Sequence, residues 1–304
     1  MKRQFKIWLE AVRLRTLPVS LSGVLIALGL AKWSNEFRIV PSVLCIVFAV
    51  LCQVVSNFAN EYYDFKHGTD KKGRAGFRRG VTEGDTKPGT MKKVMFSTLA
   101  VACLVGLSML SFVDPGQGYR NWLMLLGVGA FIAVFSLVYS AGPYPLSYHA
   151  LGEVAVFVFY GLVPVIFSYY VVTESFSPFA VMASIAIGLM GVNVLLVNNY
   201  RDVDDDREAG KNTSVVVFGR QAAATAYLFN GFLAMAFLAA LWVRMYFTMP
   251  LWTLVGPAVY IALHVFTWVQ LRRREGSALN SLLGATARNM LIFTVLLVIP
   301  LFLF

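Results

Sequence analysis

An all-α polytopic membrane protein, with nine transmembrane helices bundled around a central cavity, is the fold class this chain predicts. Three observations predict it. Of 304 residues, 58% are hydrophobic and 14% are charged, where a soluble domain of this length carries about a quarter charged residues. The apolar residues fall in runs of bilayer length, and a helix needs about 20 of them to cross the hydrocarbon core. Finally, 22 of the 26 Lys and Arg lie in the N-terminal arm, in the connections that follow the second, sixth and eighth runs, and, with Arg288, at the very start of the ninth. Nine crossings put those segments on one face, and an excess of basic residues marks that face as cytoplasmic.

In chain order the runs are 16–33, 39–59, 94–113, 121–140, 151–172, 178–198, 222–243, 251–271 and 286–304. The first is the least apolar, interrupted by Pro18, Ser20, Ser22 and Gly23. Pro164 and Pro257 fall inside later runs, where neighbouring helices re-satisfy the freed backbone groups. The whole of 1–304 reads as one integral-membrane domain, multi-pass in the cell inner membrane, N-terminus in the cytoplasm. The basic start, Met1 to Lys6, lacks a small-residue cleavage site before the next apolar run, so an uncleaved chain is expected. The net charge of +10 does not indicate a nucleic-acid partner, because the basic residues flank spans instead of gathering on one compact unit. Cys45, Cys52 and Cys103 all sit inside apolar runs, without metal-ligand spacing or a use for disulfides.

Two acidic clusters interrupt this hydrocarbon. Asn57 lies at the end of the second run and Asn60, Glu61 and Asp64 follow it, with Gly68 and Asp70 beyond them; Asn198 ends the sixth run and Asp202, Asp205 and Asp206 follow it. Carboxylates at a membrane boundary are costly unless paired and mark functional sites by default. Residues three and four apart share a helix face, so Asn57, Asn60, Glu61 and Asp64 form one stripe and Asn198, Asp202 and Asp206 another. Asp204 points away from its stripe. Gly68 lets the chain turn so that Asp70 returns to the first cluster. Four crossings separate the two runs, which brings both clusters out on one face, in the loops expected to cap the cavity. The competing reading, ordinary charged helix ends at a water interface, suits one cluster better than two matched ones.

Asn and Asp without His or Cys suit Mg²⁺, which takes a few carboxylates plus water and phosphate oxygens, and disfavour zinc. Asn60, Glu61, Asp64, Asp70, Asn198, Asp202 and Asp206 are the candidate metal ligands, with ions that bridge a diphosphate. Gly-rich basic segments wrap phosphate with charge and backbone N–H groups. The connection after the second run carries Lys66, Lys71, Lys72, Arg74, Arg78 and Arg79 among Gly73, Gly76 and Gly80, and Arg207 and Lys211 follow the second stripe. Arg79 and Lys211 are the foremost phosphate contacts, with Arg207 and Asn57 beside them. Simple positive-inside excess accounts for Lys92 and Lys93.

A third segment, Tyr139 to Glu153, is the one connection on that face without Lys or Arg and carries Tyr139, Tyr144 and Tyr148 between Gly142, Pro143 and Pro145. Tyrosine rings stabilise cations, and Glu153 offers a proton or hydrogen-bond acceptor. An interfacial aromatic belt with a helix cap explains the segment equally well.

Taken together, Arg15-Thr-Leu-Pro18, Asn57 to Asp64 with Gly68-Thr-Asp70, Arg79-Gly80, Gly142 to Tyr148 with Leu151-Gly-Glu153, and Asn198 to Asp202 through Gly210 to Thr213 resemble the UbiA superfamily of intramembrane prenyltransferases. The resemblance covers essentially the whole chain. The chain departs from the commoner pattern at Asn60-Glu61, where the family often has Asn-Asp. It departs again at the six-residue step from Asp64 to Asp70, which is similar to the branch acting on 1,4-dihydroxy-2-naphthoate. The resemblance implies Mg²⁺ held by Asn60, Asp64, Asp202 and Asp206, a polyprenyl diphosphate donor, and catalytic roles for Asp64, Asp202, Tyr139 and Tyr148, the tyrosines facing an allylic cation. It implies decarboxylating prenylation of 1,4-dihydroxy-2-naphthoate to demethylmenaquinol in menaquinone biosynthesis, with Arg13 or Arg15 holding the acceptor's carboxylate. Alternatives are another aromatic acceptor such as 4-hydroxybenzoate and, from a different class, a cation-coupled transporter with mid-bilayer carboxylates. Hydropathy excludes a soluble isoprenyl diphosphate synthase.

Overall fold

Long apolar stretches satisfy their backbone internally by forming helices, and among the described residues every regular element of the computed structural model is helical. It describes residues 2–73, 76–114, 119–142 and 145–304, with side chains from Gln4 onward. Arg74 of the basic segment and Pro143 and Tyr144 of the tyrosine segment lie outside the described residues. The helices are α1 Lys2–Val12, α2 Leu17–Trp33, α3 Ile39–Lys66, α4 Pro88–Met109, α5 Tyr119–Val138, α6 Gly152–Val156, α7 Val163–Thr173, α8 Pro178–Glu208, α9 Ser214–Phe237, α10 Ala239–Thr248, α11 Val255–Leu271 and α12 Asn280–Leu303. Among the described residues eight segments are long and apolar enough to cross a membrane, and nine if α9 with α10, bent by 45°, is counted as one span.

Three local features position the site. First, α3 and α8, 28 and 31 residues long, run on past their apolar stretches, so each acidic cluster rides on the last turns of a rigid helix. Second, Gly68 at φ 69° and Gly210 at φ 71° take the left-handed conformation that glycine adopts without steric cost, and stop both helices at one end of the bundle. Third, α6 continues through a π-helical stretch, Phe157–Leu162, into α7. That stretch accommodates Pro164, which lacks an N–H and crowds the preceding turn. There the chain meets α8 backbone to backbone: a Cβ on Gly161 would lie 2.4 Å from Gly188 Cα. Small residues are what let helices approach where lipid offers no hydrophobic drive to associate.

A cavity of about 580 Å³ opens among α2 to α8. It is off-centre: of its lining residues beyond Thr213, only Leu283 of α12 contributes. On α3 its wall runs from Asp64 to Cys45, about 28 Å at the helical rise.

Candidate functional site

The mouth of the cavity is polar and its depth is apolar. Asn57, Asn60 and Asp64 of α3, Asn198, Asn199, Asp202 and Asp206 of α8, Arg79, Lys211, Tyr139 and Glu153 all line it. Below them come Leu99, Ala102, Leu125, Phe159 and Val171. The two stripes therefore converge on one chamber, from helices 134 positions or more apart in the chain.

Asp64 is the hub. Its Oδ1 accepts hydrogen bonds from the Tyr148 hydroxyl at 2.9 Å and from Lys211 Nζ at 3.3 Å; Arg79 Nη2 stands 4.0 Å from Oδ2. Lys211 also sits over the Tyr148 ring, 4.5 Å from its centroid. Burial and then the Asp64 charge push the Tyr148 phenol above its ordinary value, so it stays a donor. Asp70 does return toward the first cluster: its N–H reaches Asp64 O at 3.4 Å, and its carboxylate pairs with Arg79 Nε at 3.4 Å. It stands behind Arg79, outside the cavity lining. Asn60 Oδ1 accepts from the Ser140 hydroxyl.

Asp202 is gripped by the buried Arg201, whose Nε and Nη2 donate to its two oxygens at 2.6 and 2.7 Å. Arg201 also binds Asn198 Oδ1 at 2.8 Å and Asn280 Oδ1 at 2.9 Å. Two guanidiniums approach the Phe77 ring, Arg15 at 3.2 Å and Arg201 at 5.3 Å from its centroid. Buried carboxylates persist only when so compensated.

Not every expected residue faces the chamber. Glu61 is turned into a neighbouring turn, where its Oε1 accepts from Val81 N at 3.0 Å. At 100° per residue it lies about 40° to one side of Asn57 while Asn60 lies about 60° to the other, which carries Glu61 off the cavity edge. Asn57 lines the wall, but its amide donates to Val12 O at 2.8 Å and ties α3 to the end of α1. Arg207 is exposed and pairs with Asp204 at 3.4 Å; Asp204 also meets Arg220 at 2.9 Å, which bears out its outward direction. Tyr148 acts from behind Asp64, outside the cavity lining. Tyr139 lines the wall. Arg201 and Phe77 were not anticipated. Adjacent residues on a helix do not normally face each other, so only the bare Arg-Asp pair in the sequence hinted at the first.

Among the described residues no three His, Cys, Asp or Glu side chains converge into a ready-made metal cage. The donors are nevertheless hard oxygens of Asn and Asp around one chamber, with cations already compensating the carboxylates. That set fits Mg²⁺, which keeps several waters and relies on substrate phosphate oxygens.

A bundle with an acidic and basic mouth above a deep apolar shaft defines an integral-membrane protein shaped for an amphiphile with an anionic head and a long hydrocarbon tail. The chain belongs to the UbiA prenyltransferase family, whose model matches residues 17–302. It is 34% identical over 212 residues to 1,4-dihydroxy-2-naphthoate octaprenyltransferase of Escherichia coli, spanning 70% of this chain and 68% of the relative. The enzyme of the same name from Haemophilus influenzae is 34% identical over 223 residues, 71% of this chain and 70% of its own. Among solved structures, a UbiA homolog from Archaeoglobus fulgidus bound to GPP and Mg²⁺ superposes with a TM-score of 0.63 at 15% identity, over 96% of this chain and 99% of that one.

Proposed function

We propose that this protein transfers a polyprenyl group from its diphosphate to 1,4-dihydroxy-2-naphthoate, with loss of CO₂, to give demethylmenaquinol for menaquinone biosynthesis. The observation that carries the reading is the meeting of Asp64 and Asp202 in one chamber with Lys211 and Arg79. The relatives' naphthoate activity supports the choice of acceptor. Asn60, Asp64, Asn198, Asp202 and Asp206 are the residues that would hold Mg²⁺, which supplies charge to the diphosphate leaving group. Lys211 and Arg79 bind diphosphate oxygens, and Tyr148 fixes the Asp64 carboxylate through its hydroxyl. The Tyr139 ring faces the allylic carbon as positive charge develops on it. Arg13 and Arg15, both in the wall, hold the acceptor's carboxylate, and the apolar shaft takes the donor tail. The carboxylates stand at helix ends, where a lipid diphosphate sits at the water boundary, and not at mid-helix as a transported cation requires. The excess of basic residues on this face supports a cytoplasmic mouth and N-terminus, and the bacterial relatives support the inner membrane as its location.

The test uses purified protein with Mg²⁺, a polyprenyl diphosphate and a panel of aromatic acids. Prenylation of 1,4-dihydroxy-2-naphthoate with release of CO₂ is expected. Preference for 4-hydroxybenzoate, or prenylation of no acid in the panel, overturns the reading.

A further inference from the structure

Glu153 is a charged residue of the chamber that the reading above leaves without a task. It ends the tyrosine segment, in the first turn of α6, and lines the cavity. Its Oε1 is held from two other helices: Asn199 Nδ2 of α8 donates at 3.0 Å, and the Ser214 hydroxyl at the start of α9 donates as well. Its Oε2 is buried and has no hydrogen-bond partner among the described residues. A buried carboxylate oxygen left unmatched is costly, and here its partner oxygen is doubly anchored, so the side chain is fixed and one oxygen is kept in reserve. Asn199, Asp202 and Asp206 follow one another at three and four residues, on one face of α8. Asn199, and Glu153 with it, is therefore roughly 10 Å along that helix from Asp206, on the side away from the cytoplasmic end. That is the depth of a ring sitting beneath a diphosphate head. The ionisable groups lining the same cavity include Tyr139 after α5, Tyr160 in the π-helical stretch, Asp202, Asp206 and Arg201 of α8, Asp64 of α3, Arg13, Arg15, Arg79 and Lys211. Asp64 pairs with Lys211 and Asp202 with Arg201.

Building on the naphthoate reading, we propose that Glu153 is a catalytic residue that holds the acceptor's hydroxyl, the one adjacent to the carboxylate-bearing carbon, and takes its proton on Oε2. That ring carbon bonds to C1 of the donor as the C1–O bond to the diphosphate breaks, and pyrophosphate leaves with the electron pair. The hydroxyl proton passes to Oε2 in the same step, leaving a β-keto carboxylate. Loss of CO₂ returns the electron pair of its C–C bond to the ring, and the proton returns from Glu153 to oxygen, so no further reagent is consumed.

Glu153→Gln separates this role from a structural one, because the amide oxygen still accepts from Asn199 and Ser214 while the second atom becomes a donor. The variant is compared with wild type in three assays with Mg²⁺ and a polyprenyl diphosphate: acceptor prenylation, donor binding, and slow solvolysis of the donor without acceptor. Prenylation should fall about 100-fold in kcat, the usual scale for losing a general base, with donor binding, solvolysis and thermal stability unchanged. Prenylation within about threefold of wild type, or a parallel loss of donor binding and solvolysis, overturns the proposal. Should wild type favour a different aromatic hydroxy acid, the naphthoate reading falls, and the same comparison on that acid still decides the role of Glu153.

Discussion

Two groups of polar residues interrupt the apolar bundle, and they are built on opposite terms. The first is the cavity mouth around Asp64 and Asp202. The second lies among α8, α9, α11 and α12. There Asn193 Nδ2 donates to Tyr227 O at 3.0 Å, Asn230 Nδ2 to Asn193 Oδ1 at 3.0 Å, and Asn289 Nδ2 to Thr267 Oγ1 at 2.8 Å. His264 is stacked between Tyr227 and Tyr260, with centroids 4.9 and 5.5 Å away, and its Nε2 meets Leu228 O at 3.1 Å. None of these residues lines the cavity; the asparagines and His264 spend polar atoms on other helices, the usual adhesive of membrane bundles. The mouth instead retains unspent capacity, with Arg79 Nη1 and Glu153 Oε2 buried and without hydrogen-bond partners among the described residues. A polar residue in a span is therefore not enough to mark a site. Opposed charges, a shared chamber and leftover donors and acceptors together mark one.

Substitutions that strike each region should break in different ways. Asp64→Ala and Asp202→Ala should each lower prenyl transfer by about 10²–10³-fold, the scale seen when one preorganised electrostatic group is removed. The double variant should lose far less than the product of the two, since both serve one site; labelled-prenyl incorporation reads this directly. Lys211→Ala and Tyr148→Phe come next, each weakening donor affinity by roughly tenfold or somewhat more, as expected for a lost hydrogen bond to a charged group. Because the Tyr148 phenol is held above its ordinary value near 10, its proton is present at all lower pH, and the rate should show no basic limb from it below about pH 10. In the second region a Cβ on Gly231 would fall 2.2 Å from His264 Nε2. Gly231→Ala should cost about 1–3 kcal/mol of stability by overpacking, read as a lower melting temperature in detergent, with His264→Ala recovering part of it. Smallest of all, Arg207→Ala should leave the rate within about twofold, since exposed ion pairs contribute little.

The spans and the pairing of helix ends were legible in the sequence because they depend on local hydropathy and on counting crossings. Asn60, Asp64, Asn198, Asp202 and Asp206 followed from helical spacing alone. Glu61 was misjudged by a fraction of a turn: a stripe of one face spans about 100°, and its edge residues answer to whatever loop folds against them, here Gly80 and Val81. Arg207 was misjudged because charge near a site does not fix direction, and Asp204 competes for it. The Arg15–Phe77–Arg201 stack and the His264 network were invisible because each joins residues far apart in the chain, and no periodicity records such contacts.

The central claim is that Asp64 and Asp202 hold one diphosphate between them. The most direct measurement is Mg²⁺-dependent binding of a non-ionising polyprenyl thiolodiphosphate to wild type, Asp64→Ala and Asp202→Ala by calorimetry. The account predicts one site per chain in wild type and at least about tenfold weaker binding in each variant. Wild-type affinity in either variant, or binding indifferent to Mg²⁺, would contradict it.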